Sequence, residues 1–320
     1  MVKHIVIGGG SGFVGRALSA ALKARGDRVT VISRSKERGD MTWDELQSKG
    51  LPPCDVVINL AGKHILDMRR IWNAAYRDEL LRSRVETTQA LVASINQMAR
   101  APELFISVAG KCFYGSQAYQ RAESYFDLDE RCGPVGLDYP AELVSLWEAA
   151  AAGVRTDVRH VRIRLGITLA NHPAQHGVAD ADRAGAYGVF PLLRAVFQKG
   201  LAFSMGTGVQ PFPWIHVDDV VGIFLQAIDD AAMQGIYNAV APGIVSNREF
   251  TEHLAERLGR PVLGAVPSWL IKAVVGRQRS TILLLGQRVR PTRTVEAGYQ
   301  FRHAELGTCL DDLVGAQVQS

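Results

Sequence analysis

The sequence predicts an α/β fold, a doubly wound parallel sheet with helices on both faces, and three observations carry that prediction. The chain opens on Lys3-His4-Ile5-Val6-Ile7 and breaks at once into Gly8-Gly9-Gly10-Ser11-Gly12. Apolar, β-branched runs of strand length recur at Arg28 to Ser33, Asp55 to Leu60, Glu103 to Val108 and Arg159 to Leu165. Between them the apolar residues fall into a helical period, most clearly over Trp72 to Met98 and Tyr139 to Ala152. Segments that alternate in this way build parallel sheets covered on both faces.

The first strand ends in glycines, and a helix follows at once, marked by Phe13, Val14, Ala17, Leu18 and Leu22. Glycines let a backbone turn tightly and approach phosphates, and the free N–H groups at the helix start face negative charge. Strand, glycine turn and helix in that order therefore predict a dinucleotide site formed by Gly9, Gly12, Phe13, Val14 and Gly15. The end of the second strand distinguishes the cofactors. A sheet that prefers NAD usually places Asp or Glu there for the ribose 2′-hydroxyl. This chain has Ser33-Arg34-Ser35-Lys36 instead. A guanidinium grips a 2′-phosphate that a carboxylate would repel, so NADP(H) is expected over NAD(H). The alternative is that Arg34 and Lys36 only solvate a turn.

Composition narrows the class. With 320 residues, 47% of them hydrophobic and 21% charged, the chain can bury a large core in one α/β unit or two fused lobes. A net charge of +4 without a dense Lys/Arg run gives no reason to expect nucleic acid. Four scattered cysteines without a CxxC pair fit reduced thiols, and no apolar run reaches membrane-spanning length. Residues 1–8 read as a strand and not as a signal peptide, so a soluble, cytoplasmic protein without a membrane partner is expected. The stretch Asn171 to Gly188, rich in Ala, Gly, His and Asp, reads as a surface loop or lid.

Several segments together resemble the epimerase-like atypical short-chain dehydrogenase/reductases, the 39U branch and its bacterial relatives. Gly9, Gly12 and Gly15 match the GxxGxxG form, followed by Thr42-Trp43-Asp44-Glu45-Leu46 and Val57-Ile58-Asn59-Leu60-Ala61-Gly62. Ser83-Arg84-Val85-Glu86-Thr87-Thr88, Trp147-Glu148-Ala149-Ala150 and Pro213-Trp214-Ile215-His216-Val217-Asp218-Asp219 continue the series. Gly276-Arg277-Gln278-Arg279 and Leu285-Gly286-Gln287-Arg288-Val289 complete it. The resemblance implies an extended Rossmann fold holding NADP(H), with a smaller C-terminal cap. Residues 1–170 would form the core, with 212–240 returning to it, and 171–211 with 241–320 the cap. It also implies cofactor contacts from Leu60, Ala61, Glu79, Arg84 and Thr168.

Members of this superfamily that turn over a carbonyl use a Tyr-x-x-x-Lys pair on the helix after the fourth strand, plus a hydroxyl at that strand's end. Anchored on Trp147-Glu148, the tyrosine position falls on Pro140 and the lysine position on Val144, while the hydroxyl position falls on Ala109. None of these can transfer a proton. Lys111, Cys112, Tyr114, Tyr139 and Glu142 are the nearby alternatives, with Tyr114 and Glu142 the preferred acid–base candidates. His216 reads as a structural histidine, and Asp218 and Asp219 as the N-cap and first-turn acids of the next helix. Trp214 reads as a rim residue able to stack on a ring, and Arg277, Arg279, Arg288, Arg290 and Arg293 as a solvated basic face or an anion cluster. No metal-ligand spacing is apparent among the histidines. Two readings follow: an NADP(H)-dependent oxidoreductase or epimerase acting on a small carbonyl or hydroxyl compound, or a non-catalytic NADP(H)-binding redox sensor that signals to a protein partner.

Overall fold

A computed structural model describes residues 2–67, 70–116, 126–136, 138–171 and 188–315. The lid expected at Asn171 to Gly188 lies almost wholly outside them. The Rossmann half runs β1 (His4–Gly8), α1 (Phe13–Ala24), β2 (Arg28–Ser33), β3 (Met41–Thr42), α2 (Trp43–Lys49), β4 (Val56–Asn59), α3 (Ala74–Gln97), β5 (Leu104–Gly110), α4 (Tyr139–Ala151) and β6 (Arg159–Leu165). There follow β7 (Ile167–Leu169), α5 (Phe190–Gln198), β8 (Ala202–Met205), β9 (Trp214–His216), α6 (Val217–Asp229) and β10 (Gly235–Ala239). The chain ends in α7 (Asn247–Arg257), β11 (Val262–Val266), α8 (Ser268–Val275), α9 (Arg277–Leu284), α10 (Thr292–Glu296) and α11 (Leu306–Gly315). Among these elements no helix is long and apolar enough to cross a membrane.

Seven strands pair in the order β10-β6-β5-β4-β1-β2-β3, every pair parallel. The strand patterns explain why the sheet is covered twice. In β1, Ile5 and Ile7 turn to one face and join Leu18 and Leu22 of α1 and Val220, Phe224 and Ala227 of α6. Val6, between them, turns to the other face, with Phe105 of β5 and Leu91 and Ile95 of α3. Successive strand residues alternate faces, so a strand buried on both sides must be apolar at every position. A separate core under the C-terminal third gathers Phe190, Trp214, Phe250, Leu254, Leu310 and Leu313.

β3 was not apparent from the pattern, because two residues show no periodicity. It matters nonetheless, since it carries the chain from β2 into α2. That helix starts with a capping box: Thr42 accepts from the Glu45 N–H at 3.2 Å, and Glu45 accepts from the Thr42 N–H at 2.9 Å.

One half-buried histidine is expected to make the fold acid-sensitive. His160 of β6 stacks on Phe105 at 5.1 Å, and its Nε2 lies 2.8 Å from the Ser107 hydroxyl. Burial, with Arg162 adding to it, holds the imidazole down at about 4. An unfolded histidine protonates near 6.5, so the unfolded chain binds the extra proton first. Stability is therefore lost as pH falls from about 6.5 towards about 4. Urea titrations at pH 7 and pH 5 are expected to show a smaller loss for His160→Gln than for the wild type. Equal losses would remove His160 from the account.

Candidate cofactor cleft

The strand order reverses between β1 and β4, and ligands of open α/β sheets bind in the crevice opposite such a reversal. A cleft of about 700 Å³ occupies that place. Its floor is the glycine turn. Gly9 sits at φ +75°, and a Cβ there would fall 2.8 Å from the Ala61 backbone. Gly15 faces Gly10 so closely that a Cβ would lie 2.6 Å from the Gly10 Cα. The turn thus packs backbone on backbone at both ends. Gly12 ends it as the extended N-cap of α1, and Arg16 N–H is the first helical donor to reach back, to the Gly12 carbonyl at 3.0 Å. The N–H groups of Phe13, Val14 and Gly15 precede that bond and are left for a ligand.

The second wall comes from the end of β2. The Ser33 side chain is buried, donates to the Ser35 carbonyl at 2.5 Å and accepts from the Ser35 N–H at 3.2 Å. It shapes the turn that presents Arg34. Lys36 is spent elsewhere, on Glu45 at 2.9 Å and the Asp40 carbonyl at 2.9 Å. Arg34 remains exposed at the cleft wall and forms no ion pair with a described residue. The third wall is the β4 exit. Asn59, wholly buried, accepts from the Ala61 N–H at 3.0 Å and donates to Thr88 at 2.7 Å, which sets the bend at Leu60, Ala61 and Gly62.

Of the twelve residues the sequence proposed for the cofactor, seven line the cleft: Gly9, Gly12, Ser33, Arg34, Leu60, Ala61 and Glu79. Glu79 is held between Lys63 and Arg70, which keep its carboxyl below the usual range. Phe13, Val14 and Gly15 stand just behind, in the first turn of α1. Arg84 lies beneath the wall: its guanidinium donates to the Lys63 carbonyl at 2.8 Å and the Leu80 carbonyl at 3.1 Å, and sits 5.2 Å from the Trp147 ring. Burial brings it down to about 10. It braces the β4 exit loop. Thr168, in β7, is not among the lining residues, and its hydroxyl is 3.5 Å from the Gly166 carbonyl.

The cleft also contains residues that pattern reading did not assign to it, notably Trp43 and Gln47 of α2, Lys63, and Arg82 and Ser83 of α3. The Trp43 ring packs where a Gly8 Cβ would lie, 2.9 Å away. The capping box places Trp43 at the first position of α2, and only the pairing of β3 with β2 turns that position toward the cleft.

The acid–base candidates are scattered. Pro140 and Val144 are buried in α4, as is Ala109 at the end of β5. Tyr114 is wholly enclosed, its hydroxyl donating to Asn238 at 3.0 Å, and burial pushes it up to about 12. Glu142 is exposed on α4. Neither lines the cleft. Lys111 donates to Gln287 at 2.6 Å, and Tyr139 donates to the Arg77 carbonyl at 2.9 Å.

Three smaller expectations are corrected. Trp214 is a core residue, 1% exposed, whose indole donates to the Gly243 carbonyl, so it cannot stack on a ligand. The N-cap of α6 is His216, whose Nδ1 accepts from Asp218 N–H at 3.1 Å; Asp218 and Asp219 follow inside the first turn. The five C-terminal arginines do not form one cluster or one face, and only Arg277 is fully exposed. Arg288 and Arg290 pair with Asp127, Arg293 bonds carbonyls of Gln234 and Ile236, and Arg279 is buried against the Asp67 and Arg70 carbonyls.

A family model described as NAD dependent epimerase/dehydratase family matches residues 5–239. The chain belongs to that family. A second model, a domain of unknown function (DUF1731), matches residues 266–313. The epimerase family protein SDR39U1 of Bos taurus is 41% identical over 97% of this chain and 99% of its own length. The crystal structure of human SDR39U1 (isoform 2) with NADPH superposes with a TM-score of 0.88 at 38% identity, covering 98% of this chain and 99% of that one. A UDP-glucose 4-epimerase structure from Thermotoga maritima, 16% identical, shares the fold with a TM-score of 0.72, covering 98% of this chain and 97% of that one. This epimerase-family chain is thus an atypical short-chain dehydrogenase/reductase.

Proposed function

We propose that this chain binds NADP(H) across the β1–β4 crevice and uses it as an oxidoreductase or epimerase on a small carbonyl or hydroxyl compound. One observation carries the cofactor: an exposed guanidinium, Arg34, stands at the end of β2 beside a glycine turn set so close to the β4 exit that a Cβ at Gly9 would strike the Ala61 backbone. The human relative crystallised with NADPH supports the same reading. The pyrophosphate would rest on the N–H groups of Phe13, Val14 and Gly15, the 2′-phosphate on Arg34, and the adenosine beside Leu60 and Ala61. When bound, the nicotinamide supplies or accepts a hydride.

Charge-assisted hydrogen bonds are worth about 1.5–3 kcal/mol. Arg34→Ala is therefore expected to weaken NADPH about ten- to hundredfold while leaving NADH nearly unchanged. Fluorescence titration with both cofactors measures it. Equal wild-type affinity for NADPH and NADH would remove the 2′-phosphate from the proposal.

A second reading rests on the buried Pro140 and Val144. With proline and valine standing where the tyrosine and lysine are expected, the chain reads equally as a holder of NADP(H) that reports redox state to a partner protein. A screen of carbonyl compounds following NADPH absorbance separates the two. Turnover supports the enzyme; a tightly bound cofactor that persists unreacted across the screen supports the sensor.

A further inference from the structure

The segment from Arg257 to Val295 carries eight Lys and Arg residues and no Asp or Glu. Five of the eight are engaged in the fold: Arg257 with Asp311, Arg288 and Arg290 with Asp127, and Arg279 and Arg293 on backbone carbonyls. Arg260, Lys272 and Arg277 are exposed and form no ion pair with a described residue. Along the chain they bracket and interrupt an apolar surface that is turned outward. In α8 only Ile271 is buried, while Trp269 is 70% and Val274 72% exposed. At about 100° per residue, Trp269, Ala273, Leu270 and Val274 cover ~140° of the outer face, and Lys272 flanks them. β11, one proline upstream, adds exposed Val262 and Leu263.

Large outward apolar faces with a polar border mark interaction sites. Two kinds of protein partner fit poorly. The register between β11 and β8 shifts between Val262 and Ala265, with Gly264 at φ +124°, and an irregular strand of this kind resists addition of another strand at its edge. A two-fold dimer through this face would bring two basic surfaces together, with no carboxylate in the segment to pair Lys272 and Arg277. The acids that bound the segment are Glu256, in α7, and Glu296, in α10, the latter paired with Arg131.

We propose that α8 and β11 form a docking face for an anionic lipid surface. Trp269, Leu270 and Val274 would enter the interface and Lys272, Arg277 and Arg260 would meet lipid phosphates, so that the chain lies on a bilayer without crossing it. Tryptophan with flanking lysine suits the boundary between headgroups and acyl chains, where the ammonium stays in water and its stem lies on apolar surface. No membrane partner was expected because no apolar run is long enough to span a bilayer, but a face that only lies on the surface needs no such run.

The test uses the full chain with saturating NADPH and two sets of vesicles, phosphatidylcholine alone and phosphatidylcholine mixed with phosphatidylglycerol. Co-sedimentation with the anionic vesicles that weakens with salt is the expected result. A Lys272→Glu/Arg277→Glu variant should lower the partition about tenfold or more, since each basic residue near such a surface contributes about fivefold. A Trp269→Ser/Val274→Ser variant should lower it as well, and both should keep wild-type NADPH affinity, because all four side chains are exposed. No binding to anionic vesicles, equal binding to neutral ones, or binding unaffected by both variants overturns the proposal. So does a dimer that forms without lipid, is abolished by Trp269→Ser/Val274→Ser, and leaves no vesicle binding.

Discussion

Gly9→Ala is expected to weaken NADPH binding about a hundredfold or more while leaving the far-ultraviolet circular dichroism unchanged. Two effects add at this position. Residue 9 sits at φ +75°, where a side chain is strained by roughly 1–3 kcal/mol. The new Cβ would also fall 2.8 Å from Ala61 N and Cα and 2.9 Å from the Leu60 carbonyl carbon, all backbone atoms that no rotamer can move aside. Without ligand the turn can relax outward. Binding must pull it back against β4, so the strain appears in affinity more than in stability. Gly12→Ala is the control. Its φ is −78° and its Cβ would meet only the Gly9 carbonyl at 3.2 Å, so a much smaller loss is expected. Isothermal titration of the two variants measures the contrast. Wild-type affinity in Gly9→Ala would mean that the cofactor lies elsewhere.

Glu148→Ala should destabilise the fold by about 3–5 kcal/mol, the cost of stripping a buried charge of its partner. Arg164 is 1% exposed, stacked 3.4 Å over the Phe113 ring, and its Nε and Nη2 grip the two Glu148 oxygens at 2.7 and 3.0 Å. A fork-to-fork pair of this kind locks α4 to β6. The pair itself need not be stabilising, because both charges have left water. A double variant, Glu148→Leu with Arg164→Met, should therefore recover most of the stability lost in Glu148→Ala. Urea denaturation of the three proteins checks this. A single variant that costs less than about 1 kcal/mol would show that water reaches Arg164.

The parallel sheet was legible because burial on both faces writes itself into every strand. Ile5, Val6 and Ile7 cannot be anything but apolar when two helical layers cover β1. The glycine turn was legible for the same local reason: its conformation depends on its own residues. The family resemblance, anchored on Trp147-Glu148, placed the usual acid–base pair at Pro140 and Val144, where neither side chain can transfer a proton. Positions that depend on distant partners were not legible. Nothing near Lys36 announces that Glu45 will take it, leaving Arg34 at the cleft wall. Nothing around Trp214 separates a rim tryptophan from one enclosed by α7 and α11. Tyr114 and Glu142 looked equivalent as acids or bases, yet one is enclosed against Asn238 and the other lies in solvent.

By itself, then, the chain determined its fold class and the place of the dinucleotide crevice, and the family resemblance added proline and valine at the tyrosine and lysine positions. Each of these is set by short-range periodicity, glycine conformation or spacing within one element. Only the tertiary structure decided which side chains front the crevice, that Arg84 braces it from behind, and that α8 turns its apolar side outward. Those outcomes rest on contacts between residues far apart in sequence, whose geometry no local pattern encodes.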